Sequence, residues 1–190
     1  GLGDVYKRQV SKERCSKEIN IILTSNKPSK LIREYLDVFS MIFPPLKKTY
    51  KFEQKTKWHH LDVLEHILTV LDSTKPNLVL RMAALFHDME KPKCFTKDDK
   101  GIGHFYNHFA VSAETARTIL KEMRYSEEFI NRVYRLVYYH DRQIALNKRS
   151  VLRFLHDFGD KDLDLYFDLK RADIQGQNPG LLYLSLIHIS

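Results

Sequence analysis

The chain has 190 residues, 43% of them hydrophobic and 29% charged, which are the proportions of a globular protein rather than a disordered or fibrous one. Its formal charge of +7 suits a phosphate-bearing partner such as RNA, and no apolar run is long enough to span a bilayer. Cys15 and Cys94 are the only cysteines, too few for a disulfide framework, which fits a reducing cytoplasm; no signal peptide is visible.

Both ends read as foreign to what lies between them. Residues 4–9, DVYKRQ, written GAT GTG TAT AAG AGA CAG, have the reverse complement CTG TCT CTT ATA CAC ATC. That string translates as LSLIHI, the sequence of residues 184–189. It resembles the transposase-recognition end used to fragment DNA for sequencing, so residues 1–9 and 184–190 are set aside as adapter-like and not native. Without Asp4, Lys7 and Arg8 the charge is +6. The native protein is expected to continue beyond both ends.

In chain order, VSKERCSKEINIILTS and PSKLIREYLDVFSMI have helical spacing, punctuated by Pro28 and by Pro44 with Pro45. Residues 46–58, LKKTYKFEQKTKW, are basic and aromatic without a period and read as a connection. LDVLEHILTVLDS predicts a helix with Leu64, Ile67, Leu68 and Leu71 on one face, and Pro76 marks the break after it. From Pro76 to Met89 the chain is apolar on nearly every side, the pattern of a helix sunk in a core, and Pro92 ends the segment. KCFTKDDKGIGHFY, with its polar, glycine-bearing centre, predicts a short β-hairpin or ordered loop near residues 93–105. Helices follow over NHFAVSAETARTILKEMR, SEEFINRVYRLVYYH, KRSVLRFLHDF and DKDLDLYFDLKRADIQ, with Ser126 suited to start the second of them. The expected class is all-α.

Histidine is the informative residue. There are nine, and with His188 set aside eight remain, seven of them between His59 and His140. His66 stands four residues after Asp62, on one side of a helix, and His87 with Asp88 ends the next helix. Two helices joined by a short break pack as antiparallel neighbours, so these side chains are within reach of each other. A carboxylate and an imidazole in so apolar a setting must be paired or bound to a cation, because leaving either unsatisfied costs several kcal/mol, roughly 2–7. His104 and His108 are four apart, His140 and Asp141 close a further helix, and Asp173 lies in the last. Plainer roles compete at several positions: His156 as a surface or satisfied core side chain, His59 and His60 as the entry to their helix, Asp62 as a helix N-terminal partner, Asp141 as a helix-end carboxylate, and His104 as a loop residue in water.

The segments HHLDVLEHILTVLD, ALFHDMEKPKCFT, GIGHFYNHFAVSAE, YYHD and RADIQGQNP together resemble the HD-domain superfamily of metal-dependent phosphohydrolases. More specifically, they are similar to the HD domain of bacterial CCA-adding tRNA nucleotidyltransferases and their poly(A) polymerase relatives. Residues 12–46 resemble the helical RNA-binding segment that precedes it. The resemblance implies an HD-domain helical bundle over 51–183, preceded by a small helical segment over 10–50. It also implies His66, His87, Asp88 and Asp173 as ligands of a primary metal, with His108 and His140 holding a second ion and Asp88 bridging. Lys91 would face a phosphate and His104 orient substrate, with Asp88 as a proton acceptor. Mixed nitrogen and oxygen donors suit manganese, iron, nickel, cobalt or zinc better than magnesium as sole occupant. The implied activity is hydrolysis of phosphate esters such as 2',3'-cyclic phosphates, 2'-nucleotides or RNA ends, with tRNA or other RNA and a small phosphate ester as partners and no membrane.

The family's nucleotidyltransferase head, with its glycine-rich loop and paired aspartates, is not within these residues. Two competing readings are a non-catalytic tRNA-binding module of the same enzyme and a free-standing nucleotide phosphohydrolase. Glu90 stands where the family usually has glycine, which predicts an altered mouth of the site and favours the module. Asn107 also replaces a frequent glycine, a milder change in a residue that tolerates a left-handed backbone and suits a helix cap.

Overall fold

The computed structural model describes residues 2–54 and 61–177, with side chains from residue 12 onward. Among them are ten α-helices and one two-stranded hairpin, in accord with the all-α expectation. His59 and His60, the end of the basic connection and the adapter-like residues 184–190 lie outside the described residues.

Helix α1 (Leu2–Leu23) begins within the residues set aside as adapter-like and runs on through the boundary at residue 9. The single helix expected over 28–42 divides into α2 (Pro28–Glu34) and α3 (Leu36–Ile42), because Tyr35 leaves helical geometry at φ −115°, ψ 38°. The expected connection contains a one-turn helix, α4 (Leu46–Thr49), too short to show a period. It forms where Leu46 and Thr49 turn into the core.

Two helices carry the centre of the molecule. In α5 (Val63–Ser73), Asp62 is the N-cap and accepts a 2.8 Å bond from the Glu65 amide, so the plainer reading of Asp62 is the correct one. The four apolar residues expected on its core face are all buried. Helix α6 (Leu78–Phe86) starts from an Asn77 cap and buries every residue from Val79 to Phe86. It is shorter than the Pro76–Met89 run suggested, and His87 and Asp88 lie in the turn that closes it. A short 3-10 turn, Lys91–Cys94, leads into β1 (Phe95–Lys97), which pairs antiparallel with β2 (Gly103–Phe105) through Phe95 opposite Phe105. Then come α7 (His108–Glu122), α8 (Glu127–Tyr139), α9 (Lys148–Phe158) and α10 (Leu163–Gly176). Ser126 caps α8 by accepting from the Phe129 amide, as its sequence predicts.

Helix α6 packs against α5, α8 and α10, while α10 lies along α5. One apolar core runs from Ile19 and Leu23 of α1 through both central helices to Phe154, Phe158 and Tyr166. That arrangement brings the C-terminal ends of α6, α8 and α10 to one place, together with the start of α7.

Candidate metal centre

The end of an α-helix leaves its last carbonyls without intrahelical partners, and a histidine there can satisfy one of them with Nδ1. This happens twice. His87 Nδ1 bonds the Ala84 carbonyl at 2.7 Å and His140 Nδ1 bonds the Val137 carbonyl at 2.7 Å. His108, at the first turn of α7, bonds the Phe105 carbonyl of β2 at 2.8 Å. His66, on the core side of α5, bonds the Gly176 carbonyl at 3.1 Å. A carbonyl only accepts, so each Nδ1 carries the hydrogen and each Nε2 is turned the other way. All four Nε2 atoms point toward Asp88.

Around His66 the spacing is close. His66 Nε2 lies 3.0 Å from Asp173 Oδ1, 3.3 Å from Asp88 Oδ2 and 3.3 Å from His87 Nε2. His87 Nε2 is 3.3 Å from Asp88 Oδ2 and 3.8 Å from Asp173 Oδ1. Bonds of about 2.1 Å to one cation place neighbouring ligands about 3.0 Å apart at octahedral angles and about 3.4 Å at tetrahedral ones. Four of the five separations, 3.0–3.3 Å, fall in this range and the His87–Asp173 one is wider at 3.8 Å, while the donor set of two imidazoles and two carboxylates is one that transition metals accept.

Asp88 divides its oxygens. Oδ2 faces His66 and His87, while Oδ1 lies 3.2 Å from His108 Nε2 and 3.6 Å from His140 Nε2. Oδ1 is buried and no hydrogen bond satisfies it, and Asp88, His108 and His140 lie close enough together that they could hold a further cation. The residues present thus fit one ion and offer a place for a second, with Asp88 common to both.

The electrostatics agree. Burial pulls the His66 imidazole down, but Asp173 and Asp88 outweigh it and raise the group to about 9, so the two carboxylates already draw positive charge to this point. Burial pushes Asp88 up, yet Lys91 and the surrounding histidines hold it well below the usual carboxylate range. Burial likewise raises Asp173, and His66 outweighs it. His140 is lowered, by burial first, with Asp88 opposing.

Lys91 is buried, with Nζ 2.7 Å from Asp88 Oδ2 and 3.0 Å from Gln54 Oε1. Above the cluster is a cleft of about 360 Å³ whose lining includes Asp88, Lys91, His108, His140 and Asp173. His104 and Tyr106 of the hairpin and the exposed Asp141 reach its mouth. His104 stands apart from the cluster, bonded through Nε2 to Asp98 at 3.1 Å and stacked on Tyr106. His156 is a surface residue beside Asp157.

Two expectations are corrected. Glu90 has an ordinary negative φ of −99°, which needs no glycine, and its carboxylate accepts from the Thr115 hydroxyl at 2.7 Å on α7. It does not line the cleft, so the mouth of the site is not reshaped by it. Asn107 does adopt the left-handed backbone, φ 61°, but its side chain makes no capping bond.

Sequence reasoning missed two residues that hold the cluster together. Gln54 anchors Lys91 from the segment before α5. Gly176 lets α10 approach α5: a Cβ there would lie 3.1 Å from Val70 Cγ2 and 3.2 Å from the His66 ring. The run RADIQGQNP contains that glycine, yet nothing in its spacing ties it to a histidine 110 residues earlier.

The α-helical bundle gathers four histidines and two aspartates beside and beneath a cleft, a donor set that could hold divalent metal ions. The chain belongs to the HD domain family, whose model matches residues 58–173. It is also similar to the A-adding tRNA nucleotidyltransferase of Deinococcus radiodurans, 32% identical over an alignment of 152 residues that covers 76% of this chain and 35% of that protein. The CC-adding tRNA nucleotidyltransferase of Thermus thermophilus is 30% identical over 182 residues, 92% of this chain and 38% of that protein. The chain therefore spans little more than a third of the length of these relatives.

Proposed function

We infer that the chain is the HD-domain part of a tRNA nucleotidyltransferase-like protein and that it hydrolyses phosphate esters, such as 2',3'-cyclic phosphates or RNA ends, with a divalent metal. The observation that carries this reading is Asp88, whose two oxygens serve two separate groups of histidine Nε2 atoms beneath an open cleft. His66, His87, Asp88 and Asp173 would hold the primary ion, and His108 with His140 the second.

A divalent ion bound there supplies Lewis acidity and lowers the pKa of its bound water toward neutrality. The chain's own residues do the rest. The Nδ1 bonds to backbone carbonyls keep the imidazoles oriented and basic. Asp88 accepts the proton of the attacking water. Lys91, the buried cation beside Asp88, offsets charge on the phosphate oxygens, and His104 at the mouth orients the substrate. The protein works in the cytoplasm on tRNA or other RNA, without a membrane partner. The mixed donors favour manganese, iron, cobalt, nickel or zinc over magnesium. The alternative of a purely RNA-binding module loses one support, since Glu90 faces α7 rather than the cleft.

The test is hydrolysis of a 2',3'-cyclic phosphate, offered both as a free nucleotide and at the end of an RNA oligonucleotide, by the metal-loaded protein, with a tRNA-binding titration alongside. His87→Ala and Asp88→Ala should each lower kcat/KM by about 10²-fold or more while tRNA binding persists. A metal-loaded parent that binds tRNA but hydrolyses nothing would establish the module reading instead.

A further inference from the structure

Beside the metal cleft is a second concavity that the hydrolase reading leaves unused. It has a volume of about 510 Å³ and is lined by Arg142, Gln143, Asn147, Arg149, Ser150 and Arg153, with no carboxylate in the lining. Arg149 and Arg153 are exposed, four apart on α9 and so on one face of it. Neither makes an ion pair among the described residues. Arg142 is held in place: its Nη1 lies 2.9 Å from Asp157 Oδ2, and its guanidinium sits 5.4 Å from the Tyr139 ring and 5.9 Å from the Phe154 ring. Lys170 braces the backbone of this corner, bonding the His140 and Arg142 carbonyls at 3.0 Å each.

The position of the pocket matters as much as its charge. His140 and Asp141 line the metal cleft, and Arg142 and Gln143, the next two residues of the chain, line the pocket, so neighbouring residues whose Cα atoms are about 3.8 Å apart serve the two concavities. Planar guanidinium groups favour bidentate contact with phosphate, and amide and hydroxyl side chains add neutral donors. The pocket is open and far larger than one anion, so it suits a chain passing through better than an enclosed ion.

We propose that the Arg142–Arg149–Arg153 pocket binds phosphodiester groups of an RNA strand whose end lies in the metal cleft. The substrate is then a polynucleotide end rather than a free mononucleotide. This rests on the hydrolase reading for what happens at the metals, but the pocket itself is testable without turnover.

The experiment is anisotropy of a labelled single-stranded RNA 12-mer against the whole chain at several salt concentrations. Arg149→Ala with Arg153→Ala should weaken binding about 10-fold at 0.1 M salt and flatten the log–log salt slope by about 1.4, since each of two phosphate contacts on a single strand contributes about 0.7. The corresponding Arg→Lys pair should keep most of the slope. Lys121→Ala with Arg124→Asn removes equal charge at and just past the C-terminal end of α7, about 20 Å from His108 at its start, and should leave the slope unchanged. An Arg-to-Ala pair that binds RNA like the parent, or a control pair that weakens it equally, overturns the proposal. So does displacement of the RNA by polyglutamate of equal charge as readily as by unlabelled RNA. A parent that hydrolyses nothing yet shows the arginine-dependent slope leaves the pocket standing and sinks the hydrolase reading alone.

Discussion

At the scale of single residues, the site is governed by which ring nitrogen faces inward. Four backbone carbonyls select that nitrogen, and one of them belongs to Gly176, the residue that also permits the approach of α10 to His66. Gly176→Ala would place a methyl 3.2 Å from the His66 ring. The neighbours must give, so the variant is expected to stay folded while losing about 10-fold in metal affinity, as measured by competition against a chromogenic chelator. Unaltered affinity would remove Gly176 from the account. His66, His87 and Asp88 were legible in the sequence because ionisable groups in apolar helices need partners, and Asp173 only because the surrounding motifs resemble a known family. Gly176 and Gln54 were not. Their contribution is a close approach and a bond to Lys91, and neither leaves a period in the chain.

At the scale of elements, two ionic devices set the helices that carry the site. Buried Arg81 of α6 donates to the Leu23 carbonyl at 2.7 Å, to the Thr74 carbonyl at 2.9 Å and to the Ser25 carbonyl, closing the ends of α1 and α5. Arg81→Met strands those acceptors and should cost about 2 kcal/mol or more in urea unfolding. Asp162, ahead of α10, faces Arg132 and Arg135 of α8, and Arg132 chiefly holds its carboxyl below the usual range against the opposing effect of burial. Because the folded pKa is depressed, this stabilisation is present above the unfolded value of about 3.9 and is lost as pH falls through the folded one. Asp162→Asn keeps a side chain that tolerates the left-handed φ of 69° while removing the charge. With both arginines nearly a third exposed, the cost should be about 1 kcal/mol at pH 7 and should fade below about pH 4. A cost independent of pH would assign the role of Asp162 to something other than charge. The longer helices were readable because their apolar periods and caps coincide, as at Ser126 and Phe129. The break at Tyr35 and the single turn of α4 were not, since one residue or one turn gives no period.

At the scale of the whole molecule, the ends of α6, α8 and α10 and the start of α7 meet at one cleft, and Asp88 is the residue that all of them share. The family resemblance implied Asp88 as a bridge, and the packing of α6 among α5, α8 and α10 shows how, with one oxygen turned to each histidine pair. The most direct measurement is anomalous diffraction from crystals of the chain equilibrated with Mn²⁺. A peak is expected within bonding distance of His66, His87, Asp88 and Asp173, with a second ion, where present, between Asp88, His108 and His140. A saturating Mn²⁺ concentration that leaves no peak among those six side chains would contradict this assignment.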